Sequence, residues 1–213
     1  MNNVIDHVAV GATSLESGTA ALKELLGVEL APGGKHPDMS THNRLTRTGP
    51  SEFLELIAID PEAPKPAHPR WFGLDEPETA ARLEDGPSPV SWVVRTDDLE
   101  RVMELAPESV GTPRRFSRGD LKWTLTVADS GVAGLGGLVP SFIQWDGDPH
   151  PATKMADDGL SLAQITLKTP EPERMTAFLE ALEIAHLAVV EKADAPALSF
   201  TFRTLDERLI TIG

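Results

Sequence analysis

The chain contains no cysteine. That absence excludes a disulfide framework and thiolate chemistry, although it fixes no compartment by itself. Basic residues are also scarce: Lys and Arg total 19 against 33 Asp and Glu, for a formal charge of −14. An exterior of that sign repels nucleic acid and anionic lipid, so neither is expected as a partner. No apolar run approaches the roughly 18 residues needed to cross a bilayer. The opening MNNVIDHVAV has no basic segment followed by an apolar one, and a cytoplasmic location is the expectation. There is no G-x-S-x-G and no P-loop. SGVAGLGGLVP (130–140) has Gly134 and Gly136 but lacks the third glycine of a dinucleotide-binding turn, and an apolar strand follows it, so it reads as a loop.

What the sequence has is repetition. With 213 residues and 40% hydrophobic content, the chain is long enough for one large folded domain or two small ones. VIDHVAV (4–10) alternates as a strand and leads into TSLESGTAALKELLG (13–27). There Thr13 and Glu16 have capping-box spacing, Leu15, Leu22, Leu25 and Leu26 share a face, and Gly27 offers a stop. Three extended segments follow: VELAP, THNRLTRT and SEFLELIAI. The order β-α-β-β-β returns from PVSWVVRT (89–96) through DDLERVMELA, where Asp97 and Glu100 form the second cap pair, to TPRRFSR, LKWTLTVA and LVPSFIQW. It returns again from LSLAQITLKT (160–169), with Thr169 and Pro170 opening the helix, to ERLITIG. The expected organisation is an α+β fold with units at 1–60, 89–147 and 160–213. The Pro-rich acidic stretch 61–88 is the first linker, with a short helix near ETAARLED.

Within SEFLELIAID, Glu55 falls on an inward position beside Phe53 and Ile57. A lone buried carboxylate is costly unless something pairs with it. The first and fourth strands of each unit carry similarly separated slots: His7 and Glu55, Trp92 and Gln144, Gln164 and Thr211. His7 is therefore the expected partner of Glu55.

Paired β-α-β-β-β units with DHV in a first strand and LEL in a fourth resemble the vicinal oxygen chelate superfamily, which includes glyoxalases, bleomycin-resistance proteins and extradiol dioxygenases. GGKHPDMSTHNRL (33–45), FLELIAI and WDGDPHPATK (145–154) are similar to segments of glyoxalase-like domain proteins. The resemblance implies that two units curl into a half-open cup-shaped mixed sheet whose floor holds a divalent metal. Carried over, the floor positions are His7, Glu55, Trp92 and Gln144, with His7, Glu55 and Gln144 as ligands for Zn, Ni, Mn or Fe(II). Trp92 cannot ligate, and a single His on the floor weighs against extradiol ring cleavage. Two readings stay open. In one, Glu55 is the catalytic base of a metal-dependent isomerase or lyase that stabilises an enolate of a small carbonyl or carboxylate compound. In the other, His7 and Glu55 are a buried hydrogen-bonded pair in a metal-free protein that binds or sequesters a small molecule.

Trp92, Trp123, Asn43, His36 and Arg115 are candidates for the substrate pocket, each with an ordinary core, cap or surface role as the alternative. PRRFSRGD (113–120) concentrates Arg114, Arg115 and Arg118, either to hold a substrate carboxylate or phosphate or to protect an edge strand. The unpaired third unit suggests a homodimer in which it meets its twin.

Overall fold

The computed structural model describes residues 1–147 and 150–213. In the first unit, β1 (Val4–Gly11) leads to α1 (Leu15–Leu26), then β2 (Ala31–His36), β3 (Thr41–Gly49) and β4 (Glu52–Ile59). The segment that follows carries α2 (Pro77–Asp85). The second unit runs through β5 (Ser88–Arg95), α3 (Leu99–Leu105), β6 (Thr112–Arg118), β7 (Leu121–Val127), a single turn α4 (Gly134–Gly137) and β8 (Ser141–Trp145). The third has β9 (Ser161–Thr169), α5 (Pro172–Ala181), β10 (Val189–Lys192), β11 (Ala197–Arg203) and β12 (Leu209–Ile212). Among the described residues, no helix is long and apolar enough to cross a membrane.

The fold is α+β. The first two units share one curled eight-stranded sheet of order β2-β3-β4-β1-β5-β8-β7-β6. Within each unit the first strand pairs in parallel with the fourth, and the units join where β1 meets β5 antiparallel. Partnered residues point to the same side of a sheet. His7 opposite both Phe53 and Val93, and Ala9 opposite Glu55, therefore lie on one face, which forms the cup. Val8 opposite both Leu54 and Trp92 lies on the other.

The helices begin slightly later than their sequence signals indicate. Ser14, rather than Thr13, accepts the backbone N–H of Ser17 at the start of α1. Asp98, rather than Asp97, caps α3 by accepting from Arg101. Gly27 ends α1 with φ 71°, a left-handed conformation suited to glycine, and donates to Lys23 O. Leu22 and Leu26 bury the inner face of α1, whereas Leu25 is exposed. VELAP is extended only at its end, since β2 starts at Ala31.

The third unit repeats the element order but not the strand order. Its sheet runs β10-β9-β11-β12, so its first strand sits between the second and third strands instead of beside the fourth. Phe200, Phe202, Ile165 and Phe178 belong to one continuous buried cluster with Val8, Leu54, Trp92 and Phe142 on the outer face of the large sheet. The apolar face that this unit turns to the large sheet is thus covered within the chain. This unit packs against the back of the cup.

Candidate functional site

A bulge makes the site. Between β1 and β5, Ile5 partners Val94 and His7 partners Val93, leaving Asp6 as the extra residue. Such an insertion re-aims side chains, and Asp6 is buried with no exposure. Its Oδ1 accepts from His7 Nδ1 at 2.7 Å. Its Oδ2 accepts from Trp145 Nε1 at 2.9 Å and from His150 Nε2 at 2.9 Å. Burial works to raise this carboxyl. The hydrogen bonds from His150 and His7, and the charge of the two imidazoles, outweigh it and hold Asp6 well below the usual carboxylate range. An ionised carboxylate only accepts, so His7 carries its proton on Nδ1.

The other ring nitrogen of His7 faces Glu55, with Nε2 3.6 Å from Oε2. His7 stacks on Phe53, ring centroids 4.6 Å apart, which fixes the plane of the imidazole. The second oxygen of Glu55 accepts from Asn43 Nδ2 at 2.5 Å. Asn43 Oδ1 in turn accepts from Gly34 N at 2.8 Å and lies 3.4 Å from Arg118 Nη1. A line of polar groups therefore crosses the cup from Asp6 through His7, Glu55 and Asn43 to Arg118, hydrogen-bonded at every step except the 3.6 Å approach of His7 to Glu55.

His36 stands beside this line. Its Nδ1 is 3.0 Å from Thr41 Oγ1 and its Nε2 is 3.4 Å from Asn43 Nδ2. Burial pushes its pKa down to about 4; Glu55 opposes that shift, and Arg118, His7 and His42 add to it. The ring is therefore neutral at neutral pH and accepts from Asn43.

Aromatic rings enclose the space above. Contacts between ring centroids of 6.0 Å or less run from His7 through Phe53, His150, Trp145, Trp123, Phe116 and Trp71 to His36. The inner cavity they surround has a volume of about 40 Å³ and is bordered by Glu55, Asn43 and Arg118 as well. His36 and Trp123 also border a wider outer cavity of about 530 Å³, together with Lys35, Arg115, Phe116 and Lys122.

The structure brings His7, Glu55, Asn43, His36 and Trp123 together at the inner cavity. Trp92 and Gln144 do not join them. Trp92 points into the core behind the sheet and donates its indole N–H to Leu138 O at 2.8 Å. Gln144 is on the same outer side, where its Oε1 accepts from Leu99 N at the start of α3. The cup-facing neighbours in their strands are Val93, Ile143 and Trp145, none of which ligates a metal. Arg115 borders the outer cavity but not the inner one, and pairs with Asp146. Sequence reasoning missed Asp6, which simple alternation would turn outward, and Trp71 and Phe72, which lie in the supposed linker. Residues 148 and 149 of the WDGDPHPATK phrase lie outside the described residues.

A family model described as a glyoxalase-like domain matches residues 5–183. The chain belongs to the glyoxalase-like domain family. Its cup has the fold of the vicinal oxygen chelate superfamily. A hypothetical protein from Staphylococcus aureus shares the fold along the whole length, at 13% identity over 100% of this chain and 99% of that one, with a TM-score of 0.66. Looser likenesses are a hypothetical protein from Bacillus halodurans C-125 (15% identity, 70% and 99% covered, TM-score 0.48) and methylmalonyl-CoA epimerase from Mycobacterium tuberculosis (19% identity, 68% and 88% covered, TM-score 0.43). No curated protein matches.

Members of this superfamily often use a divalent metal, and the donor set of the cup decides whether it could hold one. His7 Nε2 and Glu55 Oε2 offer two donors. His7 Nδ1 is committed to Asp6, Glu55 Oε1 to Asn43, and the positions across the cup are Val93 and Ile143. Among the described residues, no three His, Asp or Glu side chains are grouped so as to hold a metal ion. The residues present do not fit a resident metal.

Proposed function

We propose that this glyoxalase-like protein is a metal-independent isomerase or lyase that removes a proton next to the carbonyl group of a small molecule. The observation that carries the reading is the line Asp6–His7–Glu55–Asn43, in which a base and a hydrogen-bond donor stand side by side at a cavity. Glu55 accepts the proton as the C–H bond breaks. The electron pair moves to the carbonyl oxygen, forming an enolate, which accepts a hydrogen bond from His7 Nε2–H. His7 enters the step with a second proton, taken up from water at Nε2, and the negative charge of Asp6 below the ring stabilises the cation. Return of the proton to the other face or to another carbon gives isomerisation, whereas expulsion of a group from the adjacent carbon gives elimination. Asn43 orients the Glu55 carboxylate, and the surrounding rings exclude water, which strengthens each of these interactions.

The test is deuterium incorporation. A panel of small carbonyl compounds is incubated with the protein in D₂O and followed by proton NMR, while the metal content of protein purified without an affinity tag is measured. Exchange that occurs without stoichiometric metal and falls by on the order of 10² or more in Glu55→Gln and His7→Asn supports the reading. Stoichiometric metal that is lost in His7→Ala refutes it. The aromatic belt supports a second reading, a metal-free binding protein. Tight binding of a ligand with no exchange for any compound favours that one.

A further inference from the structure

The sequence places three arginines close together in PRRFSRGD, and the structure gives them different surroundings. Arg114 pairs with Asp129, and Arg115 pairs with Asp146. Arg118 has no carboxylate within ion-pair distance among the described residues. It ends β6 in the second unit, yet its side chain reaches across the cup to the first. The glycines of β2 permit this: a Cβ on Gly34 would sit 2.6 Å from Arg118 Cδ, and one on Gly33 would sit 2.0 Å from Asn43 Oδ1. Arg118 is the only Lys or Arg among the residues that line the inner cavity. Its one side-chain hydrogen bond among the described residues is the long 3.4 Å contact to a neutral amide oxygen, Asn43 Oδ1.

We infer that Arg118 is the anion-recognition residue of the cup and that the substrate carries a carboxylate. A guanidinium has five donors in a planar fork that matches a carboxylate. Only one of these donors has a partner in the cup, and that partner is uncharged. Coulomb attraction near a low-dielectric aromatic wall is stronger than at a wet surface. The order of groups along the line narrows the class further. Glu55 faces His7 with one oxygen and is tied through Asn43 to Arg118 by the other. A compound with its carbonyl oxygen at His7 and its carboxylate at Arg118 presents the carbon between them to Glu55. That is a short oxo acid whose carbonyl and carboxylate flank one acidic C–H. The outer cavity, with Lys35, Arg115 and Lys122 at its border, has room for a longer tail.

This assignment rests on the proton-transfer reading for the position of the carbonyl but not for recognition of the carboxylate. It is tested by equilibrium binding, with tryptophan fluorescence as the signal because Trp71, Trp123 and Trp145 border the cavity. The probes are acetoacetate and its neutral counterpart acetoacetamide. Wild type is expected to bind acetoacetate on the order of tenfold to a hundredfold more tightly than the amide. Arg118→Met should abolish that preference, Arg118→Lys should restore part of it, and rising salt should weaken acetoacetate alone. Equal affinity for the two probes in wild type, no binding of acetoacetate, or an unaltered preference in Arg118→Met overturns the inference. Acetoacetate binding that needs Arg118 but gives no deuterium exchange sinks the proposed reaction and leaves carboxylate recognition standing. Exchange that proceeds equally well in Arg118→Met does the reverse.

Discussion

His36 makes stability depend on pH in a window that can be isolated. The ring is buried against Trp71, with Thr41 and Asn43 at its nitrogens and with Glu55, Arg118, His7 and His42 as the charged or titratable groups around it. Its pKa is depressed from 6.5 to about 4 by burial, with Arg118, His7 and His42 adding to the effect against the pull of Glu55. The folded protein therefore holds His36 neutral where the unfolded chain takes up a proton. Between about pH 6.5 and pH 4 the unfolded state binds more protons, so stability falls as pH falls. At about 1.4 kcal/mol per pH unit, the loss across the window is about 3 kcal/mol. Asp6 does not confuse the reading: its carboxyl is depressed, so its contribution is complete above its ordinary value of 3.8 and is lost only in stronger acid. Urea unfolding followed by tryptophan fluorescence, from about pH 8 to about pH 4, compares wild type with His36→Gln, whose amide can still meet Thr41 and Asn43. Wild type should lose about 3 kcal/mol more than the variant over the window. Parallel pH profiles refute the claim that the buried imidazole is kept neutral.

Two further outcomes follow from the bulge and from the outer face of the sheet. Asp6→Asn leaves the shape but removes the charge under His7, His150 and Trp145; a cost of about 3 kcal/mol in urea unfolding is expected, with loss of deuterium exchange, and an unchanged unfolding midpoint contradicts it. Trp92→Phe removes the donor to Leu138 O and should cost about 1–3 kcal/mol of stability while leaving acetoacetate affinity intact, whereas altered affinity would mean that residue 92 faces the cup after all.

The fold was largely legible because its signals are local. Alternation in VIDHVAV and SEFLELIAI, cap residues within one position of the helix starts and the returning β-α-β-β-β order all act over a few residues. The pairing of His7 with Glu55 was legible for a related reason: both lie in strands of one unit, and an inward acid needs a partner. The second-unit slots went wrong by one residue. Val93 rather than Trp92 partners His7, because the bulge at Asp6 shifts the β1–β5 register, and a slip of one residue turns a strand over. Nothing local to SWVVR or SFIQW reports that shift. Asp6 was hidden by the same bulge. Trp71 and Phe72 were hidden by composition, since the proline-rich stretch around them reads as a linker, yet the chain turns sharply there, with Phe72 at φ 60°, to bring both rings to the cavity. The third unit shows that element order alone does not encode strand pairing.

The two halves of the cup have taken different tasks. The first unit supplies the acid, amide and imidazole groups: Asp6, His7, Glu55, Asn43 and His36. At the matching height the second unit presents Trp123, Leu125, Ile143 and Trp145, and its one charged contribution to the inner cavity is Arg118. A symmetric cup would place ligating side chains on both sides of an ion. This one places donors on one side and an apolar wall on the other, an arrangement that cannot surround a cation but does lower the dielectric around a single imidazole and carboxylate. In the proposed reaction the buried acid beneath His7 takes the place of an ion. There its negative charge supports a proton-carrying His7 beside the Glu55 base, the pairing required for taking a proton from carbon while stabilising the oxygen of the carbonyl next to it.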